Sequence, residues 1–214
     1  MKKHLELQPN QTILFIGDSI TDTDRLVSEY SPFGYGYVHF TANHLLAKYP
    51  QYNLNIINTG VSGDTVRKVK ARWNRDCIGH NPDVLSFMIG INDLWRQHVE
   101  PERLHEAVLS DEFELTYRLL LSQARQECNC QIILIEPFMF CDDPDNAMFK
   151  GLGAYIDIVH RLSEEFDATL VTLQKKIDEI IKEVPAQAWS DDFVHPYVWA
   201  HAWISQRWLE VTGP

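Results

Sequence analysis

The sequence predicts an α/β fold: a three-layer α/β/α sandwich built on a flavodoxin-like, doubly wound parallel five-stranded sheet of order 2-1-3-4-5. Three observations carry this. Short apolar runs alternate with amphipathic stretches along all 214 residues, which calls for a mostly parallel sheet covered on both faces. Right-handed crossovers then leave few topologies. No internal repeat, low-complexity segment or Pro/Gly/Ser-rich linker breaks the alternation, so residues 1–214 are expected to form a single domain around one core.

The elements follow in order. Residues 13–16 (Ile-Leu-Phe-Ile) make the first strand. Val38, Ala42, Leu45, Leu46 and Tyr49 recur at helical spacing, and residues 54–58 form the second strand. The third strand is expected at 84–89, followed by a helical stripe of Phe113, Tyr117, Leu120, Leu121 and Ala124. A fourth strand at 132–136 precedes the stripe Tyr155, Ile158, Val159, Leu162 and Phe166, and a fifth falls at 169–172. A last helix runs from about 198 to 209, with Pro196 near its start, where a missing N–H is tolerated.

Composition narrows the function classes. The apolar share of 45% and charged share of 23% are those of an ordinary globular chain. A net charge of −11 with no evident basic face argues against nucleic acid or an anionic membrane as partner. Met1-Lys2-Lys3 is followed by polar residues and no apolar h-region, so no secretory signal is expected. No apolar run approaches the ~18 residues of a membrane span. Cys77, Cys128, Cys130 and Cys141 form no C-x-x-C pair or ligand spacing and read as thiols of a reducing compartment. A cytoplasmic location follows as the expectation.

Each of the first three strands stops at a cluster of small or polar residues. These are Gly17-Asp18-Ser19-Ile20-Thr21-Asp22, Asn58-Thr59-Gly60-Val61-Ser62-Gly63 and Gly90-Ile91-Asn92-Asp93. A fourth block, Asp191-Asp192-Phe193-Val194-His195-Pro196, lies just before the last helix. Neighbouring strands are about 5 Å apart, so a 2-1-3 order sets Ser19 between Gly60 and Asn92. One small volume then holds a hydroxyl, a glycine N–H and an amide donor, the parts of acyl transfer. His195 supplies the base, and Asp192, three residues earlier, holds its tautomer.

These four blocks resemble the SGNH hydrolases, the GDSL-type esterases and acylhydrolases, from the first strand to the last helix. The resemblance implies Ser19 as nucleophile, His195 as base and Asp192 as its partner. It also implies an oxyanion hole of the Ser19 N–H, Gly60 and Asn92, with neither metal nor cofactor. A narrower similarity is to the intracellular, acetylxylan-esterase-like sugar-ester deacetylases. It is carried by Lys70-Ala71-Arg72-Trp73, by the stretch from Gly90 through Asn92-Asp93-Leu94-Trp95-Arg96 to Gln97, and by Val194-His195-Pro196. That branch has a small residue after His-Pro and a glycine before a second histidine. Here Tyr197 and Ala200 precede His201, bulk expected to reshape the leaving-group pocket.

Other roles compete for some of these residues. Ser19 is also a favoured helix N-cap, Gly60 a turn glycine and Asn92 a capping residue. Asp18 is expected to accept backbone hydrogen bonds that stiffen the serine turn, and Trp95 to wall the pocket. His201 reads as structural, and the other tryptophans as core or subunit-contact residues, with a homo-oligomer in view. The substrate expected is a small-molecule or oligosaccharide ester with a short acyl group, since little chain is left over for a lid. The alternatives are a lysophospholipase or thioesterase on the same site, or a flavin- or phosphate-binding module. A non-catalytic binding protein is the third.

Overall fold

A computed structural model describes residues 5–99 and 101–213. The expectation for the N-terminus falls, in residues 1–4, outside the described part. Five parallel strands, β1 (Thr12–Gly17), β2 (Asn55–Asn58), β3 (Val84–Met88), β4 (Gln131–Ile135) and β5 (Thr169–Val171), pair in the order β2-β1-β3-β4-β5. The predicted sheet is the observed one, and strand ends differ by a residue or so. β3 is buried at every position and β1 at all but its first. That is why these runs are continuously apolar and do not alternate: central parallel strands are covered on both faces.

The helices are α1 (Ser19–Asp22), α2 (Tyr37–Lys48), α3 (Val66–Asp76), α4 (Ile91–His98), α5 (Ser110–Glu127), α6 (Ala147–Glu165), α7 (Gln174–Ile180) and α8 (Val198–Thr212). Register decides which layer each joins. Phe15 lies opposite Ser86, so both point to one face, and Phe87 points to the other. Phe15 meets Tyr37 of α2 and Trp208 of α8, whose indole N–H donates to the Ser86 hydroxyl at 3.1 Å. Phe87 meets Trp73 of α3 and Tyr117 of α5. One apolar cluster, running from Leu5 to Trp208, joins both layers to the sheet. No helix among the described residues is long and apolar enough to cross a membrane.

Three helical stripes read from the sequence became α2, α5 and α6. The last helix continues to Thr212 and ends on Gly213 in a left-handed conformation. α3 gave little apolar signal because its exposed turns carry Arg67, Lys68, Lys70 and Arg75; only Val66, Val69, Arg72 and Trp73 are buried.

Candidate active site

Ser19 is the first residue of α1, two positions beyond the end of β1. The N-cap is Asp18, whose Oδ1 accepts the Ile20 N–H at 3.0 Å. The capping role therefore belongs to Asp18, and the Ser19 hydroxyl is free for other work. It lies 2.9 Å from His195 Nε2. His195 Nδ1 lies 2.6 Å from Asp192 Oδ2. Asp192 Oδ1 accepts the N–H groups of Val194 and His195 at 3.0 and 2.8 Å and the Ser190 hydroxyl at 3.1 Å. The aspartate thus fixes both the turn and the ring, with Nδ1 as the donor and Nε2 as the acceptor facing the serine.

The electrostatics follow from these contacts. Burial by itself pushes the Asp192 carboxyl up, but the hydrogen bonds from His195 and Val194 outweigh it and hold it well below the usual carboxylate range. The Asp192 hydrogen bond raises the His195 imidazole above its ordinary value, against partial burial. Asp18 is 1% exposed and is pushed up to about 7, mainly by burial; its Oδ2 has no partner among the described residues. Asp93 is fully buried and raised to about 8 for the same reason, while its carboxyl oxygens accept the Val66 N–H at the start of α3. His201 is buried beside Tyr35 and pushed down to about 3 by desolvation, so it is a neutral packing residue, as expected.

The loop after β2 corrects one expectation. The Gly60 N–H donates to its neighbour Asn58 Oδ1 at 2.9 Å and is not available to a ligand. Its glycine identity has a packing cause: a Cβ there would sit 2.4 Å from the Asp22 backbone nitrogen. The N–H groups of Thr59, Val61, Ser62 and Asp64 are also engaged, by Phe15 O, Gly17 O, Asp22 Oδ2 and Val61 O respectively. Gly63, with φ of 79°, is the exception among these described residues. Its N–H makes no hydrogen bond, and its carbonyl accepts from Arg96 at 3.3 Å. Asn92 is buried, and its amide donates to the next residue of that loop, Asp64 O, at 3.0 Å, leaving its second N–H unengaged. The Ser19 N–H is likewise unengaged. Among the described residues, the free donors at these strand ends therefore include the Ser19 N–H, the Gly63 N–H and the Asn92 amide.

Among the described residues, two cavities that adjoin the serine–histidine–aspartate line stand out. One of about 140 Å³ touches Ser19 and His195 directly and is walled by Asp22, Thr23, Asp24, Tyr35 and Ser62. The other, of about 410 Å³, opens on the Asp192 side and is largely apolar, with Trp95, Val99, Met139, Met148 and Phe193 around it. Trp95 stands edge-on to the His195 ring at 6.2 Å and lines this second cavity, not the one at Ser19. Tyr197 lines neither of these two cavities, and its hydroxyl turns to Asp191. Sequence reasoning missed Tyr35, Ser62 and Gly63. Only the second glycine of the Gly60-Val61-Ser62-Gly63 block gave a signal.

The whole chain, beyond this line of atoms, carries the family. Residues 15–203 match the GDSL-like Lipase/Acylhydrolase family, and the chain belongs to it. It is a carboxylic ester hydrolase. Among its relatives, an acetylxylan esterase of Geobacillus stearothermophilus is 35% identical over 213 residues, 98% of this chain and 97% of that one. The crystal structure of Axe2, an acetylxylan esterase from that organism, matches with a TM-score of 0.91 at 35% identity, covering 100% of this chain and 97% of Axe2. LAE5, an alpha/beta hydrolase enzyme from the metagenome of Lake Arreo, Spain, matches at 0.89 and 32% identity over 97% of each chain. Catalytic mutants of Axe2 have alanine in place of a serine, an aspartate or a histidine. Serine, aspartate and histidine are also the three residue types hydrogen-bonded in line here, at Ser19, Asp192 and His195.

Proposed function

We propose that this enzyme removes acetyl groups from acetylated carbohydrates through an acyl-enzyme on Ser19. The observation that carries it is the 2.9 Å contact of the Ser19 hydroxyl with His195 Nε2, at the mouth of a cavity of about 140 Å³. A space that small suits a two-carbon acyl group, and the full-length similarity to an acetylxylan esterase supports a sugar as the alcohol. The cavity walls also include two aspartates, Asp22 and Asp24, which disfavour anionic esters such as phospholipids.

His195 takes the Ser19 proton as Oγ bonds to the ester carbonyl carbon. The carbonyl oxygen becomes an oxyanion held by the Ser19 and Gly63 N–H groups and the Asn92 amide. As the intermediate collapses, the bond to the sugar oxygen breaks and the imidazolium protonates that oxygen. Water then attacks the acetyl-serine, giving its proton to His195, and acetate leaves as Ser19 recovers its proton. Asp192 stays ionised throughout and stabilises the imidazolium.

Free thiols at all four cysteines fit the cytoplasmic location included in this proposal. Association of copies of the chain is also included, supported by Tyr197, Val198 and Trp199, exposed side by side at the start of α8. A panel of acetylated xylo-oligosaccharides, p-nitrophenyl acetate and p-nitrophenyl octanoate tests the substrate class. Acetate release from the sugars and a strong preference for acetyl over octanoyl are expected. Preference for octanoyl refutes the deacetylase assignment in favour of a lysophospholipase or thioesterase.

A further inference from the structure

We propose that Arg72 is a positioning residue for ester hydrolysis: one guanidinium ties the tip of β1, the tip of β2 and the oxyanion loop together, so that Ser19, Gly63 and Asn92 face one point. This rests on Ser19 acting as the nucleophile. Arg72 occupies a core-facing position of α3, in line with Val66, Val69 and Trp73, and is 9% exposed. Its Nη2 donates to Gly17 O at 3.0 Å, two residues before the nucleophile. Nη1 donates to Thr59 O at 2.6 Å and to Asp76 Oδ2 at 3.1 Å. Nε donates to Asp64 Oδ2 at 2.6 Å. The Asp64 carbonyl in turn accepts the Asn92 amide, and Gly63 is the residue just before Asp64.

The stretch leading to Ser19 and the loop that carries Gly63 therefore meet on a single planar group, and Asn92 joins them through the Asp64 carbonyl. Two carboxylates, Asp64 and Asp76, balance its charge. What Arg72 contributes to the reaction is then geometry: a rigid fork with N–H groups in fixed directions. Lysine is a point charge on a flexible stem and does not reproduce this fork. Small displacements of oxyanion donors are costly, because stabilisation depends on their aim at the developing charge.

The test is a cycle of Arg72→Lys and Asn92→Ala, with kcat and KM measured on p-nitrophenyl acetate where circular dichroism shows each variant folded. Arg72→Lys is expected to lower kcat by about 10- to 100-fold with KM within about threefold, the mark of an interaction made in the transition state. Asn92→Ala should then cost much less in the Arg72→Lys background than in the wild type, because the two act on one oxyanion hole. A merely structural role predicts a lower melting temperature with kcat within about threefold of wild type, or losses that multiply in full; either outcome overturns the proposal. If Arg72→Lys does not fold, Arg72→Gln combined with Asp64→Asn, which strands no buried carboxylate, enters the same cycle under the same criteria. Ser19→Ala is run alongside. Turnover surviving in Ser19→Ala sinks the nucleophile assignment. An inert Ser19→Ala beside an unimpaired Arg72→Lys sinks the Arg72 proposal alone.

Discussion

Asp18→Asn gives the most quantitative test of how the nucleophile turn is built. Asp18 is almost wholly buried, accepts one backbone N–H at Oδ1 and has nothing at Oδ2 among the described residues. Its carboxyl moves from an ordinary 3.8 to about 7, a free-energy gap on the order of 4 kcal/mol. The sign follows from proton counts. Below about pH 4 the residue is protonated both folded and unfolded and contributes nothing. Between about pH 4 and 7 the unfolded chain ionises while the folded one keeps its proton, so stability falls as pH rises. Above about pH 7 the whole loss is present. Asp18→Asn keeps the Oδ1 acceptor and removes the ionisation. Whatever its amide nitrogen costs at the Oδ2 position is the same at every pH and cancels. Urea unfolding of both proteins at pH 4, 6 and 8 should show the variant gaining roughly 3–4 kcal/mol relative to wild type between the extremes. A difference that stays flat within about 1 kcal/mol refutes a neutral, buried Asp18.

Other outcomes are equally specific. Because Asp192 raises His195 above its ordinary 6.5, kcat/KM should fall as pH drops through that raised value, where the imidazole gains a proton and stops acting as a base. Asp192→Asn should move the inflection down and cut kcat by about 10⁴-fold; an unmoved inflection in the pH–rate profile contradicts the pairing. Asn92→Ala should cost about 10²–10³ in kcat, while the melt shifts only by the loss of one hydrogen bond, roughly 1 kcal/mol. A loss confined to stability speaks against a donor role. Gly60→Ala and Gly63→Ala should differ in kind. The first puts a methyl against the Asp22 backbone and should destabilise by about 1–3 kcal/mol or more. The second adds left-handed strain of about 1–2 kcal/mol and should lower kcat at least about tenfold in the folded enzyme. Paired melts and kinetics separate them, and equal kcat losses contradict the assignment of the free N–H to Gly63.

Much of this site was legible because strand ends are marked in the sequence. Apolar runs stop where the backbone leaves the sheet, so the residues that follow, Ser19, Asn58–Gly63 and Asn92, share one edge whatever the helices do between them. The Asp192–His195 spacing carried its own geometry, since three residues of tight turn let a carboxylate reach both ring and backbone. What stayed hidden depends on which hydrogen bonds are already taken. Gly60 and Gly63 are alike as letters, and only the Asn58 side chain, folded back onto the Gly60 N–H, tells them apart. Ser19 and Asp18 are both good N-caps, and the structure gives the role to Asp18. Arg72 was noticed as part of a motif without a task, because a buried guanidinium in a highly charged helix looks like one more solvated side chain until its carbonyl partners are known. Tyr35 reaches the cavity from the stretch between α1 and α2, which has no periodicity to read.

In the proposed reaction Ser19 carries the acyl group from the first half to the second. Acid-quenching the enzyme during turnover of p-nitrophenyl acetate, then weighing the intact protein and its peptides, tests it most directly. One acetyl group on the peptide containing Ser19, absent from Ser19→Ala and accumulating in the pre-steady-state burst, is the result expected. Turnover with no acetylated serine at any quench time, or with the acetyl group on another residue, rules Ser19 out as the carrier.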